Sequence, residues 1–376
     1  MPKYPFESIA LNAKDKKIPV ESDRDTYLGL EHLDPGTFVV SRFNTEAAPK
    51  GEKLLMKKGD VLFGKRRAYQ RKVAIAPFDG IFSAHGMVLR PKRVIDPAFF
   101  PFFIRSDAFL DKAIDISVGS LSPTINWKDL KDLEFYLPPL ERQKKLAKIL
   151  WGIEEYVEKA KGLLYRCDDL IKSRFVEMFS CHKRVYLGQY INQIRGVSYK
   201  PQDLGNNDSE HVILLRANNI TSSGLLLDDL QFVCRDKVQD EQFLKCHDSL
   251  VCASSGSIEV LGKHVYIDRD LDFVFGAFCK VLRPKRSAFS RFIDGFFRTD
   301  DYRSQIKELG QGTNINNLSN SSFDSIRLPL VSEEEALTFG KYICQIDKLK
   351  FNLQQAIDRA KKLSAKILND ALSAEE

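Results

Sequence analysis

The chain has 376 residues, of which 43% are hydrophobic and 29% are charged, and its formal net charge is +6 at pH 7. This length accommodates two or three domains that each bury a core, and the composition is ordinary for a soluble globular protein. The modest positive charge is compatible with a polyanionic partner but does not establish one.

Several protein classes are disfavoured by what the sequence lacks. The seven cysteines are scattered and form no Cys-x-x-Cys pair, which argues against a zinc module and a disulfide framework. No hydrophobic signal segment and no apolar run of membrane-spanning length is present. We therefore expect a reduced, cytoplasmic protein without a membrane partner.

Residues 1–139 contain short apolar segments, such as Thr37–Val40 and Val61–Phe63, separated by turn residues such as Gly59-Asp60. This pattern predicts a mixed domain rich in short strands, with helices near residues 97–106 and 109–116. Pro138-Pro139 ends the domain, because the first proline disfavours helix before it and the second suits a helix start.

Residues 140–180 are predicted to form one long helix. Apolar residues recur there in alternating steps of four and three, which is the heptad seam of a helix that buries a narrow stripe against one partner helix. The seam consists of Leu146, Leu150, Ile153, Val157, Ala160, Leu164, Cys167 and Ile171.

The second half of the chain repeats the first. Residues 181–331 are predicted to form a second mixed domain, and Ser332 and Glu335 form a capping box that opens a second long helix over residues 332–376. The segment Val88–Arg93 recurs unchanged as Val281–Arg286, at an offset of 193 residues. The second seam, at the same offset, consists of Phe339, Ile343, Ile346, Leu353, Ile357, Ala360, Ile367 and Ala371. The chain is therefore predicted to be a tandem duplication.

Specific motifs accompany this duplication. The first helix begins with Leu-Pro-Pro-Leu-Glu-Arg-Gln at residues 137–143 and ends with Arg-Phe-Val-Glu-Met-Phe at residues 174–179, and the pattern then returns. In this the chain resembles the DNA-sequence specificity subunit of type I restriction-modification systems. Leu330–Glu334 departs from the pattern, because it lacks the second proline and the glutamine, which leaves the boundary of the second helix less defined.

The resemblance implies an α+β fold with pseudo-twofold symmetry. Two mixed α/β target recognition domains, one for each half of a split site in double-stranded DNA, would be separated by two long antiparallel coiled-coil helices of fixed length. Two modification (methyltransferase) subunits would bind the helices, and restriction and translocase subunits would join through them. S-adenosylmethionine, ATP and Mg²⁺ would belong to those partners.

The residues themselves favour a non-catalytic DNA reader. The sequence contains no Gly-rich S-adenosylmethionine loop, no Asn-Pro-Pro-aromatic methylation motif and no phosphate-binding loop. The six histidines fall at no repeated metal-binding spacing, so we predict neither catalytic nor metal-binding residues. Two alternatives remain open, namely a stand-alone DNA-modifying enzyme with an unrecognised active site and a structural coiled-coil protein without a nucleic-acid role.

The strongest candidate for DNA contact is a basic stretch in the first half, because Lys and Arg neutralise phosphates, Arg can pair with guanine and Gln can pair with adenine. The alternative is a solvated charged turn. The candidate residues are Lys65, Arg66, Arg67, Tyr69, Gln70, Arg71 and Lys72.

The candidates in the second half are mostly small or polar, so ordinary turn chemistry is the alternative for them. Serines can approach a DNA backbone closely, and Asn and Gln suit adenine edges. These residues are Arg216, Asn218, Asn219, Ser254, Ser255, Ser257, Lys263, His264, Gln311, Thr313 and Asn314. For the subunit interface on the first helix we predict Glu154, Glu158, Lys159 and Arg166.

Overall fold

The computed structural model describes residues 2–43, 45–46, 49–221, 224–310 and 316–373. The chain divides into two compact units. Unit 1 comprises Met1–Ala160 with Gln355–Glu376, and unit 2 comprises Lys161–Gln354. Each unit therefore contains one mixed α/β domain and part of each long helix.

The described part of unit 1 contains ten short strands and four short helices, and the first long helix begins in this unit and continues into unit 2. The strands are β1 (Lys3–Pro5), β2 (Ala10–Ala13), β3 (Lys16–Lys17), β4 (Tyr27–Leu28), β5 (Lys53–Met56), β6 (Val61–Phe63), β7 (Val73–Ile75), β8 (Gly80–Phe82), β9 (Met87–Pro91) and β10 (Glu134–Tyr136). The helices are α1 (Phe6–Ile9), α2 (Phe100–Arg105), α3 (Asp107–Asp115), α4 (Trp127–Leu130) and α5 (Leu140–Phe179), with 3-10 turns at Glu21–Thr26, Leu30–His32 and Ala68–Gln70.

Unit 2 contains the remaining elements of the described chain. The strands are β11 (Arg184–Tyr186), β12 (Ile191–Arg195), β13 (His211–Leu215), β14 (Ile220–Thr221), β15 (Gly224–Leu225), β16 (Gln231–Cys234), β17 (Ser249–Cys252), β18 (Ser254–Ser255), β19 (His264–Tyr266), β20 (Phe273–Phe275), β21 (Cys279–Pro284), β22 (Asn316–Asn317) and β23 (Arg327–Pro329). The helices are α6 (Ser290–Phe297), α7 (Asp300–Leu309), α8 (Asn320–Ser325) and α9 (Glu333–Leu372). The 3-10 turns are Leu187–Gln189, Pro201–Asp203, Ala217–Asn219, Arg235–Lys237, Asp240–Gln242 and Ser287–Phe289.

The predicted duplication is present in the sheet topology. A four-stranded antiparallel sheet has the order β2-β9-β6-β7 in unit 1 and β12-β21-β17-β19 in unit 2. A two-stranded pair closes each domain, β1 with β10 and β11 with β23. The side chains of Ser106 and Thr299 cap α3 and α7 in the same way, since each accepts a hydrogen bond from the backbone N–H three residues later.

The two long helices pack antiparallel within each unit. In unit 1, Leu150 of α5 belongs to the same core cluster as Leu368 and Leu372, near the end of α9. In unit 2, Ile171 near the end of α5 shares a cluster with Phe339 and Ile343, near the start of α9. The residues of both predicted seams are buried or partly buried, as a narrow contact stripe requires.

Polar residues interrupt the second seam at two positions. Lys350 Nζ lies 2.6 Å from Asp168 Oδ1 of α5, so the charge at this seam position is paired. Ser364 is buried at the equivalent of Ile171. Paired polar groups in a helix seam favour one register over alternatives.

The capping box predicted for α9 is confirmed. Ser332 Oγ accepts a hydrogen bond from Glu335 N at 3.2 Å, and Glu335 Oε2 accepts one from Ser332 N at 2.8 Å. His182 Nε2 lies 3.1 Å from Glu335 Oε1. These contacts, with the Ser332 backbone hydrogen bond as the largest cause, lower the pKa of Glu335 to about 2.

One sequence prediction within unit 1 is wrong, because Thr37–Val40 does not form a strand. Its alternation reflects the burial of two side chains, Phe38 and Val40, in two different core clusters. Phe38 is buried between Phe102 and Trp151, and the Arg105 guanidinium lies 3.8 Å from the centre of its ring.

Candidate nucleic-acid interface

The basic loop of unit 1 connects β6 to β7 and is held in place by backbone hydrogen bonds. Arg66 N donates to His85 O, Arg67 N donates to Pro123 O, and Lys65 O accepts from Ile125 N. Arg67 and Arg71 flank the Ala68–Gln70 turn with φ angles of 54° and 52°, in the left-handed region. The loop therefore has a defined backbone.

The fold divides the seven candidates of this loop into two groups. Arg71 binds Asp107 and Asp111 of α3 at 2.6 and 2.5 Å, and Lys72 Nζ donates to Leu30 O at 2.7 Å. Both cations thus have partners inside unit 1, and their predicted contact with DNA stays a prediction.

Lys65, Arg66 and Arg67 carry the remaining positive charge of the loop. Arg66 Nη1 lies 3.4 Å from His85 Nε2, and Arg67 Nε donates to Ser122 Oγ at 3.4 Å, so neither side chain meets a carboxylate in these contacts. Tyr69 beside them is 55% exposed. The result is a small electropositive surface with an accessible aromatic ring.

His85 borders this surface, although the sequence did not single it out. The pKa of His85 is lowered, mainly by burial and then by the positive charges of Arg66, Lys65 and Lys53. Burial, with a smaller contribution from Lys16, also lowers the pKa of Lys65. His85 is therefore neutral at pH 7. It lies 19 residues from Arg66 in the chain, and no local motif links the two residues.

In unit 2, the loop between β17 and β19 occupies the position of the basic loop. Ser254 and Ser255 form the short strand β18, which pairs with Asn316–Asn317, while Ser257 and Lys263 are exposed. Lys263 immediately precedes β19, as Lys72 precedes β7. The equivalent loops thus occupy equivalent places in the sheet and differ in charge.

His264 points into the fold. Its Nε2 lies 3.1 Å from Oδ1 of Asp294, which is fully buried and also binds Arg298 and Arg291. Burial alone would raise the pKa of Asp294, but Arg298, His264 and Arg291 hold it well below the usual range. His264 thus takes part in the internal contacts of Asp294, and its predicted contact with DNA stays a prediction.

A cavity of about 450 Å³ brings together Asn218 and Lys263, from different segments of unit 2. The apolar part of its wall comes from Ala217, Ile220 and Val260, and Thr221 adds a hydroxyl. An amide and an ammonium group at one concave site can donate hydrogen bonds to an acceptor-rich partner.

The neighbours of Asn218 have other roles. Asn219 is buried, its Oδ1 accepts a hydrogen bond from Arg216 N, and its Nδ2 donates one to Leu226 O, so it has a structural role, and its predicted contact with a base stays a prediction. Arg216 Nη2 binds Asp229 Oδ2 at 2.7 Å, while the buried Arg216 Nε has no partner among the described residues. The predicted candidates Gln311, Thr313 and Asn314 lie outside the described residues.

The arginine of the repeated Val-Leu-Arg-Pro-Lys-Arg motif has the same structural role in both units. Arg90 binds Asp60 through Nε and Nη2 at 2.7 and 2.8 Å, and Arg283 binds Asp248 through the same atoms at the same distances. Each bidentate pair joins the arginine on one strand of the repeated sheet to the aspartate just before the neighbouring strand. The identity of the motif in both units therefore reflects the scaffold.

The four predicted interface residues on α5 differ in exposure. Glu154 is mostly buried and accepts two hydrogen bonds of 3.1 and 2.9 Å from Arg105, and its predicted place in the subunit interface stays a prediction. Lys159 is exposed and pairs with Glu155, Arg166 is exposed, and Glu158 is partly buried. Asp347 of α9 is the counterpart of Glu154, 193 residues later, and it binds Arg298 and Arg291.

Among the described residues, no group of three or more His, Cys, Asp or Glu side chains is arranged to hold a metal ion. No described helix combines the length and the apolar character needed to cross a membrane.

Residues 9–162 match the family model of the type I restriction modification DNA specificity domain. Over these residues the chain is similar to the specificity subunits of two type I restriction enzymes. The specificity subunit of the type I enzyme EcoKI from Escherichia coli (strain K12) is 34% identical over 185 residues, and that of StySPI from Salmonella potsdam is 34% identical over the same length. Each match covers 48% of this chain and 40% of the relative.

A longer match extends over both units. The putative type I restriction enzyme MjaX specificity subunit of Methanocaldococcus jannaschii is 27% identical over 348 residues, covering 83% of this chain and 77% of the relative.

The fold is also similar to that of solved structures. The S subunit of the M. genitalium type I restriction-modification system matches with a TM-score of 0.56 at 16% identity, over 100% of this chain and 96% of that chain. A second match is a chain from a structural study of complex assembly in a type I R-M system. It has a TM-score of 0.57 at 17% identity, over 100% of this chain and 98% of that chain.

Proposed function

We propose that this chain is the DNA-sequence specificity subunit of a type I restriction-modification complex and reads a bipartite site, with one half-site for each unit. The observation that carries the proposal is the repeated scaffold with different loops. The loop between β6 and β7 is basic, whereas the loop between the equivalent strands β17 and β19 is small and polar. Two readers with one scaffold and different loops suit a site with two different halves.

In this proposal the two units use different chemistry. Arg66 and Arg67 neutralise phosphates or pair with guanine, and Tyr69 and Gln70 contact the bases beside them. In unit 2, Asn218 and Lys263 contact DNA from their shared cavity.

The chain itself is proposed to be non-catalytic. S-adenosylmethionine, ATP and Mg²⁺ then act in partner subunits, two methyltransferase subunits bind the long helices, and restriction subunits join through them. Lys159 and Arg166 are exposed on α5 and remain candidates for this interface.

The deciding experiment is a genome-wide map of adenine methylation in cells that carry this chain with its modification subunits. A bipartite motif that disappears when the chain is deleted is the expected result. A stand-alone enzyme would leave the motif in place when the modification subunits are deleted, and a structural coiled-coil protein would leave the methylation map unchanged.

A binding measurement separates the same possibilities in solution. The purified chain should bind duplex DNA with an affinity that falls steeply with salt, because released counterions drive the association. It should neither methylate nor cleave DNA until modification and restriction subunits are added.

A further inference from the structure

Unit 2 contains a cysteine, a histidine and an aspartate that are linked by hydrogen bonds and that are not among the candidate DNA contacts. Cys234 Sγ lies 3.3 Å from His211 Nε2, and His211 Nδ1 lies 2.6 Å from Asp208 Oδ1. The antiparallel pairing of β13 with β16 places His211 directly opposite Cys234. This is the order of groups that activates a cysteine nucleophile, with a base beside the sulfur and a carboxylate that orients the base.

The hydrogen bonds define which ring nitrogen carries the proton. Asp208 Oδ1 also accepts a hydrogen bond from Glu210 N at 2.9 Å. Because a carboxylate oxygen can only accept, His211 Nδ1 must be the donor in its contact with Asp208. The hydrogen bond from His211 is the largest cause that lowers the pKa of Asp208, which keeps this carboxylate charged at neutral pH. With the Nδ1 proton directed to Asp208, Nε2 is the ring nitrogen that faces the thiol and can accept its proton.

Gly205 makes this close arrangement sterically possible. A Cβ atom at position 205 would lie 2.1 Å from His211 Nε2, so any larger residue would displace the ring from Cys234. Gly205 N donates to Phe232 O at 3.1 Å, which fixes the loop beside the ring.

The other cysteines have different surroundings. Cys252 and Cys279 are buried, and burial raises the pKa of both thiols, that of Cys279 to about 12. Cys181 and Cys344 are exposed, and Cys246 Sγ donates to Asp268 O. All seven cysteines lie in the described ranges, and Cys234 is the one whose sulfur contacts an imidazole.

We propose that Cys234, His211 and Asp208 form a thiol modification site that exchanges with small disulfides. His211 takes the thiol proton, and the Cys234 sulfur attacks one sulfur of the disulfide. A bond forms between the protein sulfur and that atom, the disulfide bond of the reagent breaks, and the departing thiolate receives the proton from His211. The reaction yields one mixed disulfide and one free small thiol, so atoms and electrons balance.

The test uses the full chain and an aromatic disulfide, dithiobis(nitrobenzoate), whose released thiolate is coloured. In one background, Cys181→Ser, Cys246→Ser and Cys344→Ser leave Cys234 as the accessible thiol. In the matched background, Cys234→Ser, Cys246→Ser and Cys344→Ser leave Cys181. At about pH 6 we expect Cys234 to react at least about tenfold faster than Cys181, and the ratio should shrink at about pH 9, where a thiol without a base also ionises.

His211→Gln should remove the advantage at about pH 6 and leave the rate at about pH 9 nearly unchanged, a change of pH profile that altered packing alone would not produce. Near-ultraviolet circular dichroism reports whether the variant folds, and Asp208→Asn, at an exposed position, is the milder substitute with a smaller loss in the same direction. Equal rates for Cys234 and Cys181 at about pH 6, or a Cys234 rate that neither substitution lowers there, would overturn the proposal.

Discussion

At the scale of single residues, chemically similar side chains in one loop have different roles. Arg66 and Arg67 are near a histidine and a serine, whereas Arg71 is held by two carboxylates of α3. The sequence shows a run of positive charges in this loop. It does not show which of them meet an acid, because Asp107 and Asp111 come from a distant segment of unit 1.

The double substitution Arg66→Ala and Arg67→Ala should weaken DNA binding across sequences. It should also reduce the slope of log affinity against log salt by roughly one unit for each phosphate contact that is lost. Fluorescence anisotropy at several salt concentrations measures both quantities.

Arg71→Ala is the control, because it removes one positive charge from the same loop, against two in the double variant. It should leave the salt slope near that of the parent and lower the stability of unit 1 through loss of the contacts to α3. A control variant that lost as much salt dependence as the double variant would contradict the assignment of Arg71 to the fold.

The buried ion network around Asp294 is a second feature at the residue scale. Removal of one partner from a buried charge pair leaves the other partner uncompensated, at a cost of about 3–5 kcal/mol. Asp294→Asn should therefore lower the free energy of unfolding by roughly this amount, as measured by urea denaturation. Asp272→Asn, at a carboxylate that is 74% exposed, should change it by less than about 0.5 kcal/mol, and equal losses would contradict the proposed importance of burial.

At the scale of secondary-structure elements, predictions from the sequence succeeded where the determinants are local. The heptad seams and the Ser332–Glu335 capping box depend on residues within a few turns of one helix, so their spacing is visible in the sequence. The strand predicted at Thr37–Val40 is absent, because a strand needs a hydrogen-bonded partner strand. The alternation of apolar residues there instead accompanies the burial of Phe38 against Phe102 and Trp151.

The capping box has a pH-dependent consequence. The pKa of Glu335 falls from 4.5 to about 2 in the folded state, so the carboxylate stabilises the fold above about pH 4.5, and this contribution is lost as the pH falls through 2. Glu335→Gln should therefore be less stable than the parent at neutral pH, and the difference should narrow in acid. Urea midpoints at several pH values measure it. The neighbouring Glu334→Gln is the control, and a difference that stayed constant from neutral to acid pH would contradict the role of Glu335.

At the scale of the whole molecule, the duplication is the feature that the sequence revealed most completely. A constant offset of 193 residues links both the helices and the Val88–Arg93 motif, and the sheet order repeats accordingly. The candidate site was less predictable, since Asn219, His264 and Glu154 are polar residues whose partners lie inside the fold. Polarity alone does not distinguish a side chain that awaits a ligand from one that already has a partner.

If the chain reads two half-sites, the number of residues in α5 and α9 should set the spacing between them. Deletion of one heptad from each helix keeps both seams in register and shortens each helix by about 10 Å at ~1.5 Å per residue. The methylated motif should then keep its two halves and lose about three base pairs of spacer, at 3.4 Å per base pair. Insertion of one heptad into each helix is the matched variant and should lengthen the spacer, whereas an unchanged spacer in both would refute the idea.

The left-handed backbone at Arg67 implies a trade of stability for function in the basic loop. A residue with a Cβ atom adopts this conformation at a cost of about 1 kcal/mol that glycine avoids. Arg67→Gly should therefore unfold at a temperature no lower than the parent while it binds DNA more weakly, and thermal melting with anisotropy measures the two effects separately. If Arg67 contacts DNA as proposed, that contact offsets a backbone cost that glycine would avoid.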